Sequence, residues 1–514
     1  MDDSSDPRSE DWGMFGRPLF NDPSSRALSR VGVVDVGSNS VRMVVFDGAA
    51  RSPAYFFNEK VMCGLGAGLS ESGRLNPEGK TRALAAIRRF CLLAEGMGAT
   101  PLTAVATAAM REAGDGPDFC QQVLDETGLK LWVIDGAEEA RLSAQGVLLG
   151  WPEADGLVCD IGGSSMELAE VSKGEVGKRL SSPLGPLKLR DVPGGKKGLA
   201  KHIAKVIDGL AETMGTDHAR LYLVGGSWRA IARLDMTRRG YPLTVLHEYR
   251  MPRASILETL DWIAENDPDA LRSRAGIGAE RMSLVPIAAE VLRRLVQTLN
   301  PKEICVSSYG IREGMLFEQM PEQLRRRDPL IEACYFTESI SARMPGFGRR
   351  LFKFILPLYE GAPPELLRLV KAACLLHDTA WRAHPDYRHE VCFDAATRAN
   401  LGGLDHEGRV FLGLALLHRY KNKRSGSRFE PLFELLSEQQ IKGAEVLGKA
   451  MRFGAMFSSD EPDQFAKLRY AADHATLELA LAPGAEALYG EVAEARLASL
   501  AKSLGTEIRV IRAG

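Results

Sequence analysis

Two segments decide the fold: VGVVDVGSNSVRMVVFDG at residues 31–48 and LVCDIGGSSMELAEV at residues 157–171. In each, apolar and β-branched residues lead to an aspartate, small residues turn the chain, and apolar residues resume. This pattern predicts a buried strand, a tight turn and a second strand, which together form a β-hairpin. The aspartates, Asp35 and Asp160, lie 125 positions apart (160 minus 35). The sequence therefore predicts two related domains that face each other across a cleft.

Both turns have the composition of a phosphate-binding loop. Glycines without a Cβ let backbone N–H groups point into the concave side of a loop, and serine hydroxyls add donors. An aspartate at each strand end suits a magnesium ion that bridges phosphate oxygens, so we expect Asp35 and Asp160 to hold Mg²⁺. The predicted phosphate-binding residues of the two turns are Gly37, Ser38, Asn39, Ser40, Gly162, Gly163, Ser164 and Ser165.

The composition is that of an ordinary globular protein. The chain has 514 residues, of which 45% are hydrophobic and 26% charged, and it carries 65 basic against 67 acidic side chains. This near-neutral balance provides no global polycation for nucleic acid or an acidic membrane, so polyanion binding must depend on local patches. Eight cysteines without a Cys-x-x-Cys pair predict reduced thiols. We find no signal-peptide or membrane-span pattern and expect a cytoplasmic protein.

The order of predicted elements is α/β up to about residue 318 and mainly helical beyond it. Hairpin, third strand and alternating helices and strands occur twice, so the duplication extends beyond the two turns. The predicted regions are a disordered tail at 1–30, a first α/β domain at 31–145, a second α/β domain at 146–318, a helical domain at 319–470 and a small α/β segment at 471–514.

The two hairpins, in this order, resemble the phosphate loops of the actin-like and sugar-kinase superfamily. DVGSNSVR and DIGGSSMEL are particularly similar to the exopolyphosphatase and guanosine pentaphosphate phosphohydrolase family. Three further stretches fit that family: TAAMREAGDGPDF at 107–119, DGAEEARL at 135–142 and VSSYGIREG at 306–314. The resemblance covers residues 30 to 318 strongly and the remainder loosely.

The resemblance implies a fold and an activity. The fold would be two duplicated actin-like (ribonuclease H-like) domains around a cleft, followed by a mainly helical HD-like domain and a small α/β appendix. The activity would be Mg²⁺-dependent, processive removal of terminal phosphates from inorganic polyphosphate. Hydrolysis of guanosine pentaphosphate to the tetraphosphate, both alarmones of the stringent response, is the nearest alternative, because both substrates present a terminal phosphoanhydride.

Two stretches supply the remaining catalytic candidates. Arg111, after the predicted strand TAVAT, is similar to the family arginine that contacts phosphoryl oxygens, a task that suits a guanidinium. Glu138 and Glu139 follow a predicted strand and lie in the first turn of a helix, where acids are common for dipole reasons alone. The family places its catalytic carboxylate immediately before Ala-Arg, which corresponds to Glu139. We expect Glu139 to accept the proton of the attacking water, and Glu138 is the second candidate for this role.

Two further sites complete the candidate set. Glu167, two residues beyond the second loop, is a candidate for contact with metal or water. LVGGSWRAIA, at residues 223–232, follows a predicted strand and opens a helix. In kinases of the superfamily the equivalent turn approaches adenosine. We count Gly225, Gly226 and Ser227 among the phosphate-binding candidates.

The helical region contains His377-Asp378, which is similar to the metal-binding pair of HD phosphohydrolases. A functional HD site also needs an upstream histidine, and none precedes His377 within this region. We therefore interpret the region as an HD-like domain whose metal site has decayed. Its helices are also a candidate surface for a homodimer.

Basic residues cluster in two places, and Arg42 departs from the family pattern. The clusters have two explanations: they belong to a solvated surface, or they provide successive contacts for a long polyanion. They comprise Lys188, Arg190, Lys196, Lys197, Lys201 and Lys205, and Arg419, Lys421, Lys423 and Arg424. Arg42 follows the first loop where many members have an aromatic-histidine pair, which bears on substrate preference.

Two other function classes compete with hydrolysis. A phosphotransferase of sugar-kinase type would pass the phosphoryl group to an acceptor rather than to water. A polyphosphate or alarmone sensor would bind without turnover. The presence of Glu139, Asp35 and Asp160 favours an enzyme over a sensor.

Overall fold

The computed structural model describes residues 30–48, 51–471 and 475–512. The chain divides into two compact units, one up to Arg327 and one from Asp328. The predicted tail at 1–30 lies outside the described residues except for Arg30. The first unit continues nine residues (327 minus 318) beyond the predicted domain end. Within the described residues, no helix combines the length and apolar character needed to cross a membrane.

The first hairpin forms the centre of a sheet with the strand order β3-β2-β1-β4-β5. β1 pairs antiparallel with β2 and parallel with β4. Successive residues of β1 are buried, because both faces of the sheet are covered, and this explains the continuous apolar run in the sequence. The strands are β1 (Val31–Val36), β2 (Ser40–Phe46), β3 (Tyr55–Met62), β4 (Leu102–Ala106) and β5 (Leu131–Val133).

The second hairpin forms the centre of a sheet with the order β10-β11-β9-β6-β7-β8. Its β8-β7-β6-β9-β11 portion repeats the first sheet strand for strand, and β10 is an addition at one edge. This confirms the predicted duplication. The strands are β6 (Gly156–Ile161), β7 (Met166–Ser172), β8 (Glu175–Ser182), β9 (Arg220–Val224), β10 (Tyr249–Pro252) and β11 (Glu303–Val306).

Side chains cap the N-termini of some helices of the first unit. For example, α2 starts with Asn76, whose side chain accepts from the Gly79 N–H at 2.8 Å, and Pro77 follows at the first position. The helices are α1 (Leu69–Ser72), α2 (Pro77–Gly96), α3 (Ala108–Glu112), α4 (Gly116–Thr127), α5 (Gly136–Gly150), α6 (Pro186–Leu189), α7 (Gly195–Met214), α8 (Gly226–Arg239), α9 (Arg253–Glu265), α10 (Pro268–Ala275), α11 (Ala279–Met282), α12 (Val285–Leu299), α13 (Ile311–Glu318) and α14 (Glu322–Arg325).

Helices α5 and α13 lie between the two sheets. α5 contacts β6, β7 and β8 of the second sheet, whereas α13 contacts α5 and β1 of the first. The two helices cross so closely that a Cβ on Gly314 would lie 1.7 Å from the Leu142 carbonyl oxygen. Their apolar residues share one core with Val33 of the first sheet and Val158 of the second. The predicted boundary at residue 145 therefore falls inside a helix that holds both halves together.

The second unit is helical with a small sheet of order β12-β13-β14. The predicted strand, helix and strand near the C-terminus are present, and the sheet also takes in β12, which starts before the predicted segment at 471. The helices are α15 (Pro329–Ser341), α16 (Phe347–Ile355), α17 (Pro364–Leu376), α18 (Arg388–Arg398), α19 (His406–Tyr420), α20 (Glu438–Phe457), α21 (Pro462–Phe465) and α22 (Glu491–Leu504), and the strands are β12 (Ala466–Tyr470), β13 (Thr476–Leu481) and β14 (Glu507–Ile511).

The His377-Asp378 pair lies at the buried end of α17. Nδ1 of His377 contacts the Cys374 carbonyl at 2.9 Å, and burial, followed by the charge of Arg419, lowers the pKa of His377 to about 3. Arg343 donates to both Asp378 oxygens at 2.7 and 2.6 Å. The pair is thus occupied by protein contacts, and no cluster of three potential metal ligands is present among the described residues.

Candidate active site

The two glycine-rich turns have the same backbone geometry and meet in space. In the first, the Gly37 N–H donates to the Ser40 carbonyl at 3.0 Å, and in the second the Gly162 N–H donates to the Ser165 carbonyl at 3.0 Å. The Ser164 hydroxyl donates to the Ser38 hydroxyl at 3.1 Å. One loop from each half therefore faces the other, as the sequence predicted.

Both turns and the third glycine turn line a single cleft of about 200 Å³. At Gly225, φ is 112°, and a Cβ would lie 2.5 Å from the Ile161 carbonyl oxygen, so only glycine fits between the second hairpin and α8. The predicted phosphate-binding residues that line the cleft are Gly37, Ser38, Asn39, Ser40, Gly162, Gly163, Ser164, Ser165, Gly225 and Gly226. Ser227 is 1% exposed and is not among the described residues that line it.

Asp35 and Asp160 occupy equivalent positions at the ends of β1 and β6, and both line the cleft. Arg312 donates to Asp35 at 3.2 Å, and the Ser143 hydroxyl donates to Asp160. Burial raises the pKa of each carboxyl, against the opposing effects of Arg312 on Asp35 and of Ser143 on Asp160. The site therefore holds two carboxyls in an environment that disfavours their charge.

Each aspartate begins a row of side chains that crosses its sheet. In the first row, Asp35 on β1 lies opposite Arg42 on β2, which lies opposite Lys60 on β3. In the second row, Asp160 on β6 lies opposite Glu167 on β7, which lies opposite Ser181 on β8. Residues paired across neighbouring strands lie on the same face of the sheet. The first row thus places two cations beside its aspartate, and the second row places a second acid.

Helix α5 covers the second row and presents Glu139 to the cleft. The Asp135 side chain caps α5 by accepting from the Glu138 N–H at 2.7 Å. Gly136 permits the approach, because a Cβ there would lie 2.4 Å from Cβ of Ser181. Glu139 lines the cleft with its side chain 13% exposed.

Glu139 has one carboxylate oxygen without a partner. Its buried Oε2 accepts no hydrogen bond in the described structure, and the nearest cation, Nη1 of Arg111, is 3.9 Å away. Burial, followed by the charge of Glu167, raises the pKa of Glu139 well above its ordinary value. A buried acceptor without a donor is costly, so the atom is suited to receive a hydrogen bond from a bound molecule.

The structure separates Glu138 from Glu139. Glu138 points to Arg141, which donates to it at 2.9 and 2.6 Å and to Glu318 at 2.7 Å. Glu138 does not belong to the cleft lining of the described chain. Its place in an ion-pair network argues against the substitute role that the sequence left open.

Glu167 and Arg111 lie behind the cleft wall. Glu167 is 1% exposed and accepts from the Ser181 hydroxyl at 2.9 Å. Burial, followed by the charge of Asp160, raises the pKa of Glu167 to about 8. Arg111 donates to the Ile134 carbonyl at 2.6 Å. These contacts place Glu167 and Arg111 where they set the charge environment of Glu139, and neither belongs to the described cleft lining.

Among the described residues, five cations line the cleft: Arg42, Lys60, Arg229, Arg281 and Arg312. They come from β2, β3, α8, α11 and α13, so no local cluster of basic residues in the sequence indicates that they meet. Sequence analysis related Arg42 to substrate preference but predicted no phosphate contact for any of the five, although Arg229 and Arg312 belong to stretches quoted for other residues. The cluster of cations exists only in the folded structure, because strands and helix ends that are far apart in the sequence converge at the cleft.

The cations repel one another. Burial, followed by the charge of Arg312, lowers the pKa of Arg42 to about 10. Burial and Arg312 also lower the pKa of Arg229, and burial and Arg229 lower that of Arg281. For Arg312 itself, Glu313 and Asp35 outweigh the effect of burial and raise the pKa. An anion in the cleft would relieve this repulsion.

The predicted basic clusters contribute less. Lys188 forms an ion pair with Glu112 at 3.1 Å, and Arg190 donates to the Ser283 hydroxyl at 2.9 Å. Lys196, Lys197, Lys201 and Lys205 are exposed along α7. These contacts fit a solvated surface, and the cations of the cleft are a different set.

The residues present fit a magnesium ion that is held only partly by protein. Asp35 and Asp160 could supply oxygen ligands, and the charges of both, after burial and Glu167, raise the pKa of the neighbouring Glu139. No three His, Cys, Asp or Glu side chains in the described chain are close enough to form a complete site. Mg²⁺ commonly takes one or two carboxylates and completes its shell with water and phosphate oxygens, so this donor set suits it.

Known proteins match both parts of the chain. The model of the Ppx/GppA phosphatase family matches residues 44–323, and the model of the exopolyphosphatase C-terminal region matches residues 360–511. The chain is 27% identical to Exopolyphosphatase 1 of Mycobacterium leprae (strain TN) over 310 residues, which cover 57% of this chain and 90% of that protein. It is 25% identical to Retrograde regulation protein 2 of Saccharomyces cerevisiae over 452 residues, which cover 78% of this chain and 74% of that protein.

Solved structures share the fold. A crystal structure of an exopolyphosphatase from Cytophaga hutchinsonii aligns with a TM-score of 0.51 at 23% identity and covers 57% of this chain and 97% of its own. The Aquifex aeolicus member of the Ppx/GppA family aligns with a TM-score of 0.50 at 22% identity, over 56% and 97% of the two chains. These confirm the actin-like α/β architecture of the first unit. Because the phosphatase model spans more than half of the sequence, this chain belongs to the Ppx/GppA phosphatase family.

Proposed function

We propose that this protein is an exopolyphosphatase that hydrolyses the terminal phosphoanhydride of inorganic polyphosphate. The observation that carries the proposal is the orphaned Oε2 of Glu139 at the wall of a cleft with five cations and two phosphate-type turns. The relatives named exopolyphosphatase support the same substrate class. A polyanion with one charge or more per phosphate matches a row of cations better than a neutral sugar acceptor does.

The character of the cleft favours polyphosphate over a nucleotide substrate. The described residues that line it include no Phe, Tyr, Trp or His side chain, so no ring is available for stacking on a guanine base. In contrast, the donors needed for a phosphate chain are abundant. We therefore place guanosine pentaphosphate second and make it an arm of the experiment.

In the proposed reaction, the turns and cations hold the terminal phosphoryl group in line with a water molecule. The carboxylate of Glu139 accepts a proton from that water while its oxygen attacks the terminal phosphorus. The bond between that phosphorus and the bridging oxygen breaks, which releases orthophosphate and a chain shorter by one phosphate. Arg312 and Arg42 neutralise charge on the phosphoryl oxygens.

We further propose that the reaction depends on Mg²⁺ held by Asp35 and Asp160. The ion would neutralise charge on the phosphate oxygens and shield the carboxyls from one another. Before it binds, the Arg312 guanidinium 3.2 Å from Asp35 provides part of that neutralisation. Phosphate release with and without EDTA tests the requirement, and full activity in EDTA would contradict it.

The decisive experiment compares two neighbouring glutamates. Glu139→Gln removes the proposed base, and we expect phosphate release from long-chain polyphosphate to fall by about 10²- to 10⁴-fold, the range typical of a positioned base. Glu138→Gln is the matched control, since its side chain contacts Arg141, and it should retain activity within a few-fold of wild type. Both variants and wild type are assayed with Mg²⁺ on polyphosphate and, separately, on guanosine pentaphosphate.

Each outcome has a definite meaning. Faster release from polyphosphate, lost only in Glu139→Gln, supports the proposal. Faster release from the nucleotide would move the function to the guanosine pentaphosphate branch of the family. Binding of polyphosphate without phosphate release from either substrate would indicate a sensor. Transfer of labelled phosphate to an acceptor would indicate a phosphotransferase.

A further inference from the structure

The second unit contains a cavity that belongs to no site described above. It lies between α19, α20 and the segment that joins them, and its volume is about 620 Å³, which is within the range of small-molecule pockets. Its walls combine a buried histidine, an apolar portion and a rim with charges of both signs. The phosphate-type turns, Glu139 and the cleft cations all belong to the first unit, so the cavity shares no residue with the candidate active site.

His418, at the end of α19, lines the cavity and is 2% exposed. Its Nδ1 faces the Lys421 carbonyl oxygen at 3.2 Å. Since a carbonyl can only accept, Nδ1 carries the proton in the neutral ring and Nε2 presents a bare lone pair. Nε2 is buried and has no hydrogen-bond partner among the described residues.

The ring stays neutral at physiological pH. Burial lowers the pKa of His418 to about 4, although the charge of Glu445 acts in the opposite direction. Nε2 is therefore an acceptor that can receive a hydrogen bond from a bound molecule, and such a bond would be favourable because a buried polar atom without a partner is costly. An amino or imino N–H of a heteroaromatic base is a donor of suitable size.

The cavity also provides an apolar wall. Phe433, Leu436 and Ile441 line it and are 6–8% exposed. A purine base has a flat apolar body with N–H groups at its edge. The apolar wall can contact that body while the single acceptor, Nε2 of His418, receives a hydrogen bond from an N–H group. A polyamine or a free amino acid would leave much of the wall without contact.

The rim holds two acids and two bases that have no ion pair or hydrogen bond in the described structure. Glu434 and Glu438 are the acids, and Lys423 and Arg424 are the bases. The other two acids of the wall are already occupied: Glu445 pairs with Lys449 at 2.6 Å, and Glu430 accepts from the Gly426 N–H at 2.6 Å. The free carboxylates suit a diol, and the free cations suit a phosphate.

We propose that this cavity binds a purine nucleoside phosphate. A base N–H donates to Nε2 of His418 while the ring contacts the apolar wall. The ribose hydroxyls donate to Glu434 and Glu438. The phosphate oxygens accept from Lys423 and Arg424. This site is separate from catalysis and does not depend on the proposed hydrolytic activity.

The test uses ligands without a phosphoanhydride, so that turnover cannot interfere. AMP and GMP are titrated into the full chain by calorimetry, beside adenosine, inorganic orthophosphate and purine riboside 5′-monophosphate, which lacks exocyclic N–H groups. We expect a nucleoside monophosphate to bind at least about tenfold more tightly than adenosine or the riboside phosphate, since each lacks one of the proposed hydrogen-bonded groups. Binding of orthophosphate as tight as that of AMP and GMP would overturn the proposal.

Variants locate the binding. His418→Leu should reduce affinity about tenfold and abolish the preference for AMP or GMP over purine riboside 5′-monophosphate. If that variant fails to fold, the pair Lys423→Ala/Arg424→Ala on the rim gives the test independently through an equal loss for both monophosphates. The matched control, Lys196→Ala/Lys197→Ala on α7, should bind as wild type does, and all variants should retain phosphate release. Absence of nucleotide binding in wild type, or binding that these variants leave unchanged, would overturn the proposal.

Discussion

The two hairpins have one backbone plan and opposite chemistry. In the first row, Asp35 is followed across the strands by Arg42 and Lys60, whereas in the second row Asp160 is followed by Glu167 and Ser181. Equal strand order and equal turn hydrogen bonds fix the positions in both halves. The difference lies in what covers each row: α5 packs over the second, while the first remains in the cleft.

This comparison separates two tasks. The first row contributes cations that can contact a polyanion directly. The second row contributes a buried acid, Glu167, whose charge raises the pKa of Glu139 together with burial. The two halves thus have matching loops and differ in the residues beside them, and on the proposed function one half would bind the substrate while the other would control the base.

The largest effect should follow from giving the first row an acid in the position where the second row has one. Arg42→Glu replaces a cation of the cleft with an anion, and we expect kcat/KM for polyphosphate to fall about 10- to 100-fold, mainly through KM, because one charged hydrogen bond contributes about 1.5–3 kcal/mol. Steady-state phosphate release checks this. Arg82→Glu, an exposed arginine of the same half, is the control and should leave KM unchanged.

A different pattern would contradict the division of tasks. If Arg42→Glu lowered kcat and left KM unchanged, Arg42 would act only in the transition state rather than as a general contact for the chain. If it changed neither constant, the first row would not touch substrate.

The sequence predicted the architecture well because its signals are local. An acid, two small residues and flanking β-branched runs define a hairpin within about 15 residues, and both hairpins formed where the pattern placed them. The predicted domain boundary at 145 falls inside α5, which continues to Gly150 and packs on the second sheet. Nothing in the composition of α5 indicates which sheet will cover it.

The candidate site was predictable only in part, for the same reason. The turns and both aspartates lie within the motifs, so their meeting could be expected. Arg229, Arg281 and Lys60 come from separate elements, and each alone resembles an ordinary surface cation. The choice between Glu138 and Glu139 depended on the resemblance, because the two differ only by about 100° around a helix whose orientation the sequence leaves open.

A smaller but more specific effect concerns the second row. Glu139 and Glu167 titrate as a coupled pair, in which the charge of Glu167 opposes ionisation of Glu139; Glu167→Gln removes that charge, so Glu139 should become ionised at lower pH. We expect the acidic limb of the kcat/KM profile to move to lower pH in Glu167→Gln, with little change in KM. A profile measured from pH 4 to 9 checks this, and Glu170→Gln on the same strand provides the control. An unshifted limb would show that Glu167 does not act on the base.

A weaker effect separates the rows by their response to salt. Contacts between cations and a phosphate chain are screened, so kcat/KM for long-chain polyphosphate should decline as KCl increases. We expect the slope of log kcat/KM against log salt to become shallower by about one in Lys60→Gln, by analogy with phosphate contacts of nucleic-acid-binding proteins. Glu167→Gln should keep the wild-type slope. The same loss of slope in both variants would contradict the division of tasks between the two rows.

The smallest expected effect is on the pH dependence of stability, and its direction follows from the proton that Glu167 holds in the folded state. Burial and Asp160 raise the pKa of Glu167 from 4.5 to about 8, so the folded state holds a proton that the unfolded state releases between these values. The resulting stability is fully present below the lower value and is lost as the pH rises through the upper one. Glu167→Gln has no such proton to lose. Its melting temperature, measured from pH 5 to 9 without Mg²⁺, should therefore fall less than that of wild type, by about 2–4 °C for each kcal/mol of linkage. A parallel decline in both proteins would mean that the second row carries no shifted carboxyl, and the comparison between the rows would then depend on the cations alone.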